Sequence, residues 1–211
     1  MLETDTDADV IVASAGRPAT FGLIFDRHAT VLHRYLVRRV GPDAAESALG
    51  ELFRIAFEKR ATYDLDRPSA RPWLYGIATN LVARHRRTEA RRLAAVARLA
   101  GQRLPANDRT LDVADDVSSR VDAVERWNRV ARAVNELPQP ERDALVLHVW
   151  ESLSYDDIAD ALGVPIGTVR SRLSRARGRL RELDPVTGEQ PHDTTTTDAR
   201  TPRRSPGKMT S

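Results

Sequence analysis

The sequence contains no cysteine, which excludes disulfides, thiolate metal ligands and thiol-based catalysis. Aromatic residues are also scarce, at 5%. No apolar run approaches the roughly 18 uncharged residues of a membrane span, and the acidic N-terminal stretch does not resemble a signal peptide. The five histidines have no partner at ligand spacing. We therefore expect a cytoplasmic protein without a metal, a cofactor or membrane insertion.

Lysine is nearly absent as well, because 31 of the 33 basic residues are arginine. Arginine binds phosphates and base edges through its planar, forked donors, so the bias fits a nucleic-acid partner. A GC-rich genome would produce the same bias. The net charge is only +3, so the positions of the arginines are more informative than their number.

The spacing of apolar residues predicts an all-α protein with two small helical domains joined by a flexible linker. Apolar residues recur three and four apart in every long block, and no segment alternates over strand length. The predicted domains cover 20–99 and 121–183, with an acidic linker at 100–120. We predict a disordered acidic lead at 1–19 and a disordered tail at 184–211, because both are polar and lack periodicity.

One helix of the first domain has a polar face with an aromatic residue. Trp73, Asn80, Arg84 and Arg87 share this face, whereas Leu74 and its apolar neighbours point inward. A ring for stacking, an amide for a base edge and guanidiniums for phosphates fit single-stranded nucleic acid. The alternative is a half-buried core tryptophan followed by arginines that favour the helix dipole.

The second domain carries a helix-turn-helix pattern. Ser154 and Asp157 predict a helix start, Gly163 permits a tight turn, and Val169 and Leu173 return to the core from the next helix.

The helix after the turn is strongly cationic, with six arginines against Glu182 between residues 165 and 183. Because a recognition helix enters the major groove by its N-terminal part, we predict DNA contacts along it. The candidates are Thr168, Arg170, Ser171, Arg172, Arg175, Arg177 and Arg179.

From about residue 21 to residue 183 the chain resembles an RNA polymerase sigma factor of the extracytoplasmic-function (ECF) type. The segments 153–159 and 163–177 follow the family signature nearly residue by residue, and 73–81 resembles the helix that melts and reads the minus-ten element. The resemblance implies a region 2-like bundle and a region 4-like helix-turn-helix.

The resemblance also implies a function and partners. The arginine-rich helix would read the minus-thirty-five element, and the face from Trp73 to Arg87 would capture the minus-ten strand, with Asn80 near the pocket for a flipped base. The implied partners are core RNA polymerase, promoter DNA and an anti-sigma factor, without a small-molecule substrate.

The segment 45–53 resembles the family's polymerase-binding helix, although the family usually has Asp at position 47, Gln at 50 and Asp at 84. The implied polymerase contacts are Glu46, Ser47, Gly50, Glu51 and Phe53.

Two other functions remain as alternatives. A helix-turn-helix regulator would bind DNA without replacing the sigma subunit. An enzyme acting on nucleic acid is disfavoured, because the sequence has no Gly-rich phosphate loop and no nucleophile-base pair. We therefore expect no catalytic residues. The linker is either a nucleic-acid mimic or an ordinary acidic connection.

Overall fold

The computed structural model describes residues 5–99 and 121–183, which form eight α-helices and no β-strand. The helices are α1 (Asp7–Gly16), α2 (Gly22–Val40), α3 (Pro42–Lys59), α4 (Arg71–Leu99), α5 (Val121–Glu136), α6 (Gln139–Val149), α7 (Tyr155–Leu162) and α8 (Ile166–Leu183). The all-α prediction is confirmed. The predicted linker and tail lie outside the described residues.

Helices α2, α3 and α4 form the first block, and their apolar stripes meet in its core. Leu36 of α2, Leu52 of α3 and Leu74 of α4 are all fully buried. The turn between α2 and α3 is a single residue, Gly41, whose φ of 83° suits glycine alone. Pro42 follows at the first helical position, where its missing N–H costs nothing. The glycine turn and the proline at the helix start place α3 beside α2, and α4 packs against both helices.

The prediction of a disordered lead over residues 1–19 is wrong for residues 7–16, which form α1. Thr6 caps this helix by a capping box with Asp9, and Val10 and Ile11 are buried against the first block. The carboxylate of Asp7 accepts hydrogen bonds from the Ala70 N–H at 2.8 Å and from Arg27 Nη1 at 3.0 Å. Burial and these tertiary contacts order a segment whose acidic composition suggested disorder.

Helices α5 to α8 form the second block, and α7 and α8 are the predicted helix-turn-helix. Ser154 caps α7 by a capping box with Asp157, and Gly163 ends it in the left-handed conformation at φ 61°. Ile158 of α7 and Val169 and Leu173 of α8 are buried. Local cap and turn chemistry therefore sets the geometry of α8 relative to α7.

The two blocks pack against each other through α4 and α7, and one hydrophobic cluster includes residues of both. The backbones come close together at Gly76, where an added Cβ would lie 2.5 Å from the carbonyl oxygen of Ala161. Only glycine permits this approach.

Candidate nucleic-acid interface

The predicted reading face of α4 is mostly accessible. Asn80, Arg84 and Arg87 are exposed on one side of the helix. Trp73 is half-buried, and its ring lies 5.2 Å from that of Tyr63 between centroids. The structure therefore places the Asn80 amide and the guanidiniums of Arg84 and Arg87 on the same accessible side of α4. Part of the Trp73 ring is buried against Tyr63.

Arg84 joins the α4 face to the predicted polymerase surface. Its Nη1 lies 2.8 Å from Oε1 of Glu51 on α3, and both side chains are at least one-third exposed. An exposed pair of this kind contributes about 0–1 kcal/mol, so a partner can displace it. The family's usual acidic residue at position 84 would repel Glu51, whereas this chain pairs the two.

The predicted polymerase contacts divide between surface and core. Glu46, Ser47 and Gly50 are exposed on α3, and Glu51 is half-buried. A Cβ added at Gly50 would meet nothing within 4 Å, so packing does not explain this glycine. Phe53 is 8% exposed, and its ring lies 4.8 Å from that of Phe25 between centroids. Because the Phe53 ring is buried in the core, its burial argues against the implied contact between Phe53 and polymerase.

Helix α8 is buried along one stripe and cationic on both flanks. Val169, Leu173 and Ala176 form the stripe. One flank carries Arg170 and Arg177. The opposite flank carries Thr168, Arg172, Arg175 and Arg179. Ser171 lies between the two flanks on the outer surface.

Two of the predicted DNA contacts are held by a carboxylate of α6. Nε of Arg175 lies 3.3 Å from Oε1 of Glu141, and Nε of Arg179 lies 3.1 Å from Oε2. Glu141 is only 6% exposed. In the described part of the chain, Arg170 and Arg177 make no ion pair. The sequence does not predict this role of Glu141, because α6 and α8 meet only in the folded protein.

The predicted minus-ten and minus-thirty-five surfaces meet in one cleft of about 160 Å³ between the blocks. Asn80 of α4 and Arg172 of α8 both line it, together with Asp143 of α6. Nothing in the sequence signalled that these residues lie close together.

Beside this cleft lies a buried polar cluster that joins the blocks. We call it the inter-block latch: Arg38, Arg39 and Tyr75 of the first block with Asp143 and Glu151 of the second. Arg39 pairs with Asp143, and Arg38 pairs with Glu151. The Tyr75 hydroxyl donates to Glu151 Oε2. Burial, followed by the hydrogen bond to Glu151, raises the pKa of Tyr75 well above its usual range, so Tyr75 stays a neutral donor.

Across residues 5–99 and 121–183, no group of histidine, aspartate and glutamate side chains is arranged to hold a metal ion. Over the same residues, no helix is long and apolar enough to cross a membrane.

Comparison with known proteins identifies the family to which the chain belongs. Residues 24–92 match the family described as Sigma-70 region 2, and residues 127–180 match the one described as Sigma-70, region 4. Over 182 residues the chain is 32% identical to the ECF RNA polymerase sigma factor SigM of Mycobacterium tuberculosis, covering 84% of each chain. The chain belongs to the ECF sigma factors. This is a family of non-enzymatic transcription initiation factors.

Other relatives of this sigma factor match over a smaller part of their length. The chain is 37% identical over 116 residues to the RNA polymerase sigma factor HrpL of Pseudomonas syringae. It is 36% identical over 130 residues to the RNA polymerase sigma-H factor of Pseudomonas aeruginosa. These matches cover 59% and 62% of the two relatives, so the chain spans about three fifths of their length.

Solved structures agree on the fold. The sigma factor RpoE of Bartonella quintana, crystallised with the anti-sigma factor NepR, is 25% identical with a TM-score of 0.58. That match covers 80% of this chain and 98% of the other. CnrH, solved with the cytosolic domain of CnrY, has the same TM-score at 22% identity, covering 85% of this chain and 97% of the other.

Within this sigma factor, the candidate surfaces fall inside the matched regions. The α4 face and the α3 surface lie in residues 24–92, and the α8 candidates lie in residues 127–180. The latch, by contrast, joins the two regions to each other.

Proposed function

We propose that this chain is a promoter-specificity subunit that binds core bacterial RNA polymerase and directs promoter recognition, melting and initiation at a specific regulon. The observation that carries the proposal is the pair of reading surfaces, one in each sigma region. Asn80 and two arginines are exposed on α4, and a cationic α8 follows a helix-turn-helix.

The α8 surface is suited to duplex DNA. Its guanidiniums, which are exposed except for the half-buried Arg172, support phosphate contacts. The N-terminal half of a recognition helix is the part that enters the major groove, which favours base contacts there. Arg170, Ser171 and Arg172 are therefore proposed to read the minus-thirty-five element, with Thr168, Arg175, Arg177 and Arg179 on or near the backbone.

The α4 surface is suited to a separated strand. Asn80 offers an amide to the edge of an extruded base, and Arg84 and Arg87 offer charge to the neighbouring phosphates. Trp73 keeps part of its ring accessible for stacking. We propose that this face captures the minus-ten strand.

The exposed side of α3 is the proposed docking surface for polymerase. Glu46, Ser47 and Gly50 are accessible there, and Glu51 becomes more accessible when Arg84 leaves it. The co-crystal of the related RpoE with NepR supports an anti-sigma factor as a further partner. The proposal places the protein in the cytoplasm with its DNA, and it requires neither a cofactor nor an enzymatic activity.

The test separates the two reading surfaces. Core polymerase reconstituted with the protein is titrated with a duplex minus-thirty-five probe and with a single-stranded minus-ten probe, each fluorescently labelled. We expect Arg172→Ala to weaken duplex binding and Asn80→Ala to weaken single-strand binding. Arg34→Ala removes an exposed arginine of α2 and should change neither. If the protein binds duplex DNA but never associates with core polymerase, it is a helix-turn-helix regulator instead.

A further inference from the structure

The charge of α8 is distributed unevenly around the helix. Arg170 and Arg177 lie on one flank, are exposed, and make no ion pair with any residue that the structure describes. On the opposite flank, Arg175 and Arg179 share the carboxylate of Glu141. The first flank therefore carries two uncompensated positive charges, whereas Arg175, Arg179 and Glu141 together carry a net charge of only one.

Glu141 is held in place by α6. It lies in the first turn of this helix, and its backbone N–H donates to the Pro138 carbonyl at 3.0 Å. The Glu141 side chain is 8% exposed, whereas the side chains of Arg175 and Arg179 are 58% and 52% exposed. Glu141, Arg175 and Arg179 are called the Glu141 clamp below. The carboxylate is its buried member, and the two guanidiniums are the counter-ions of that carboxylate within the described residues.

A phosphate cannot take both guanidiniums from the Glu141 clamp without cost. Removing the partners of a buried charge is strongly destabilising, because that charge is left without solvent or counter-ion. The exposed pair between Arg84 and Glu51 carries no such cost, since water solvates both groups when the pair breaks. DNA phosphates therefore meet a competitor at the clamp and none at the opposite flank of α8.

The uneven charge matters because the major groove has a phosphate wall on each side. The groove is about 12 Å wide and a helix with its side chains is about 10–12 Å across, so both flanks of an inserted helix face phosphates. A helix with one neutralised flank is drawn towards the wall that its free arginines face. Since phosphate contacts fix the orientation of a protein on the duplex, the clamp bears on how α8 sits in the groove.

We propose that Glu141 is a positioning residue for DNA binding. It withholds Arg175 and Arg179 from the phosphates, and it leaves Arg170 and Arg177 to fix the orientation of α8 in the groove. Glu141 acts through the arginines and does not itself touch DNA. The contact of α8 with duplex DNA rests on the proposed function, whereas the clamp does not. Within that contact, Arg175 and Arg179 lie near the DNA backbone without binding it.

Arginine side-chain NMR tests the clamp in the free protein. Glu141→Gln removes the carboxylate charge and keeps the side-chain length, so we expect it to shift the Nε–H resonances of Arg175 and Arg179 but not that of Arg177. The matched control is Glu136→Gln, because Glu136 is an exposed carboxylate of α5 that pairs with no described residue. This control should shift none of the three resonances. Unshifted Arg175 and Arg179 resonances in Glu141→Gln would overturn the clamp.

The salt dependence of duplex binding tests the positioning role. The holoenzyme is titrated with a labelled minus-thirty-five duplex at several salt concentrations, where each phosphate contact contributes about 0.9 to the log–log slope. Arg177→Gln should flatten the slope by about one contact, both in the parent and in Glu141→Gln. Arg179→Gln should leave the parent slope unchanged but flatten that of Glu141→Gln by about one contact. Arg175 stays on the carboxylate in Arg179→Gln, so no buried charge is left unpaired.

Two results of this mutant cycle would overturn the positioning role. Loss of one contact on Arg179→Gln in the parent would mean that Glu141 does not withhold this arginine from DNA. A flatter slope in Glu141→Gln would mean that the carboxylate aims the guanidiniums at phosphates instead. Association with core polymerase, measured separately, reports on the proposed function. If that association fails, the same cycle is run with the full-length protein alone and the same duplex, so the two failures are distinguishable.

Discussion

Replacing Asp7 by asparagine removes the charge that anchors α1 to the start of α4. The Asp7 carboxylate accepts from the Ala70 N–H, from Arg27 and from His28 Nε2 at 2.7 Å, and its side chain is 8% exposed. The Asp7 N–H also donates to the Pro68 carbonyl at 3.0 Å. These bonds fix the loop that leads into α4.

The pKa of Asp7 gives the magnitude of this anchor. Burial raises the pKa, but the hydrogen bonds from His28, from the Ala70 N–H and from Arg27 outweigh it and lower the pKa from 3.8 to about 2. At 1.36 kcal/mol for each pKa unit, the ionised carboxylate stabilises the fold by about 2 kcal/mol. Because the folded-state pKa is depressed, this stabilisation is present above about pH 4 and is lost as the pH falls towards 2.

Urea unfolding measured by circular dichroism tests this prediction. At pH 7, Asp7→Asn should lower the free energy of unfolding by about 2 kcal/mol and speed amide exchange in α1. The difference from the parent protein should shrink between pH 4 and pH 2. Asp26→Asn changes an exposed carboxylate of α2 and is the control. If the two variants unfold alike at pH 7, the tertiary role of Asp7 is refuted.

Three further changes test the surfaces. Arg172→Ala should weaken holoenzyme binding to a minus-thirty-five duplex by about 1–3 kcal/mol and relax its sequence preference, as read by competition with point-mutated duplexes; an unchanged preference would rule out a base contact. Glu141→Gln frees the two arginines that it pairs on α8, so the salt dependence of duplex binding should steepen by up to about two phosphate contacts; an unaltered slope would mean that both already bind DNA. Phe53→Ala should lower the free energy of unfolding by about 3 kcal/mol in urea, and a loss of polymerase affinity without destabilisation would show a surface role instead.

Local signals in the sequence predicted the second block well. The cap at Ser154, the turn at Gly163 and the stripe through Val169 and Leu173 each depend on residues within one or two helical turns. The structure confirms the helix-turn-helix for this reason. The α4 face was predicted in the same way, from spacing along one helix.

Features that depend on distant contacts were not predictable from the sequence. Helix α1 is acidic and short, and its order comes from burial of Val10 and Ile11 and from the Asp7 anchor. Asp143 and Glu151 are buried by the packing of the two blocks, which the sequence does not reveal. Charge patterns identify which groups need partners, but not which partners they find.

Run-off transcription tests most directly the proposed function, in which this sigma factor gives core polymerase its promoter specificity. Purified protein is mixed with sigma-free core polymerase and a pool of genomic promoter fragments, and the 5′ ends of the transcripts are sequenced. We predict discrete start sites that require the protein, share two upstream elements, and weaken with Asn80→Ala or Arg172→Ala but not with Arg34→Ala. Absence of specific transcripts, with polymerase from the same source and with DNA binding intact, would contradict the account.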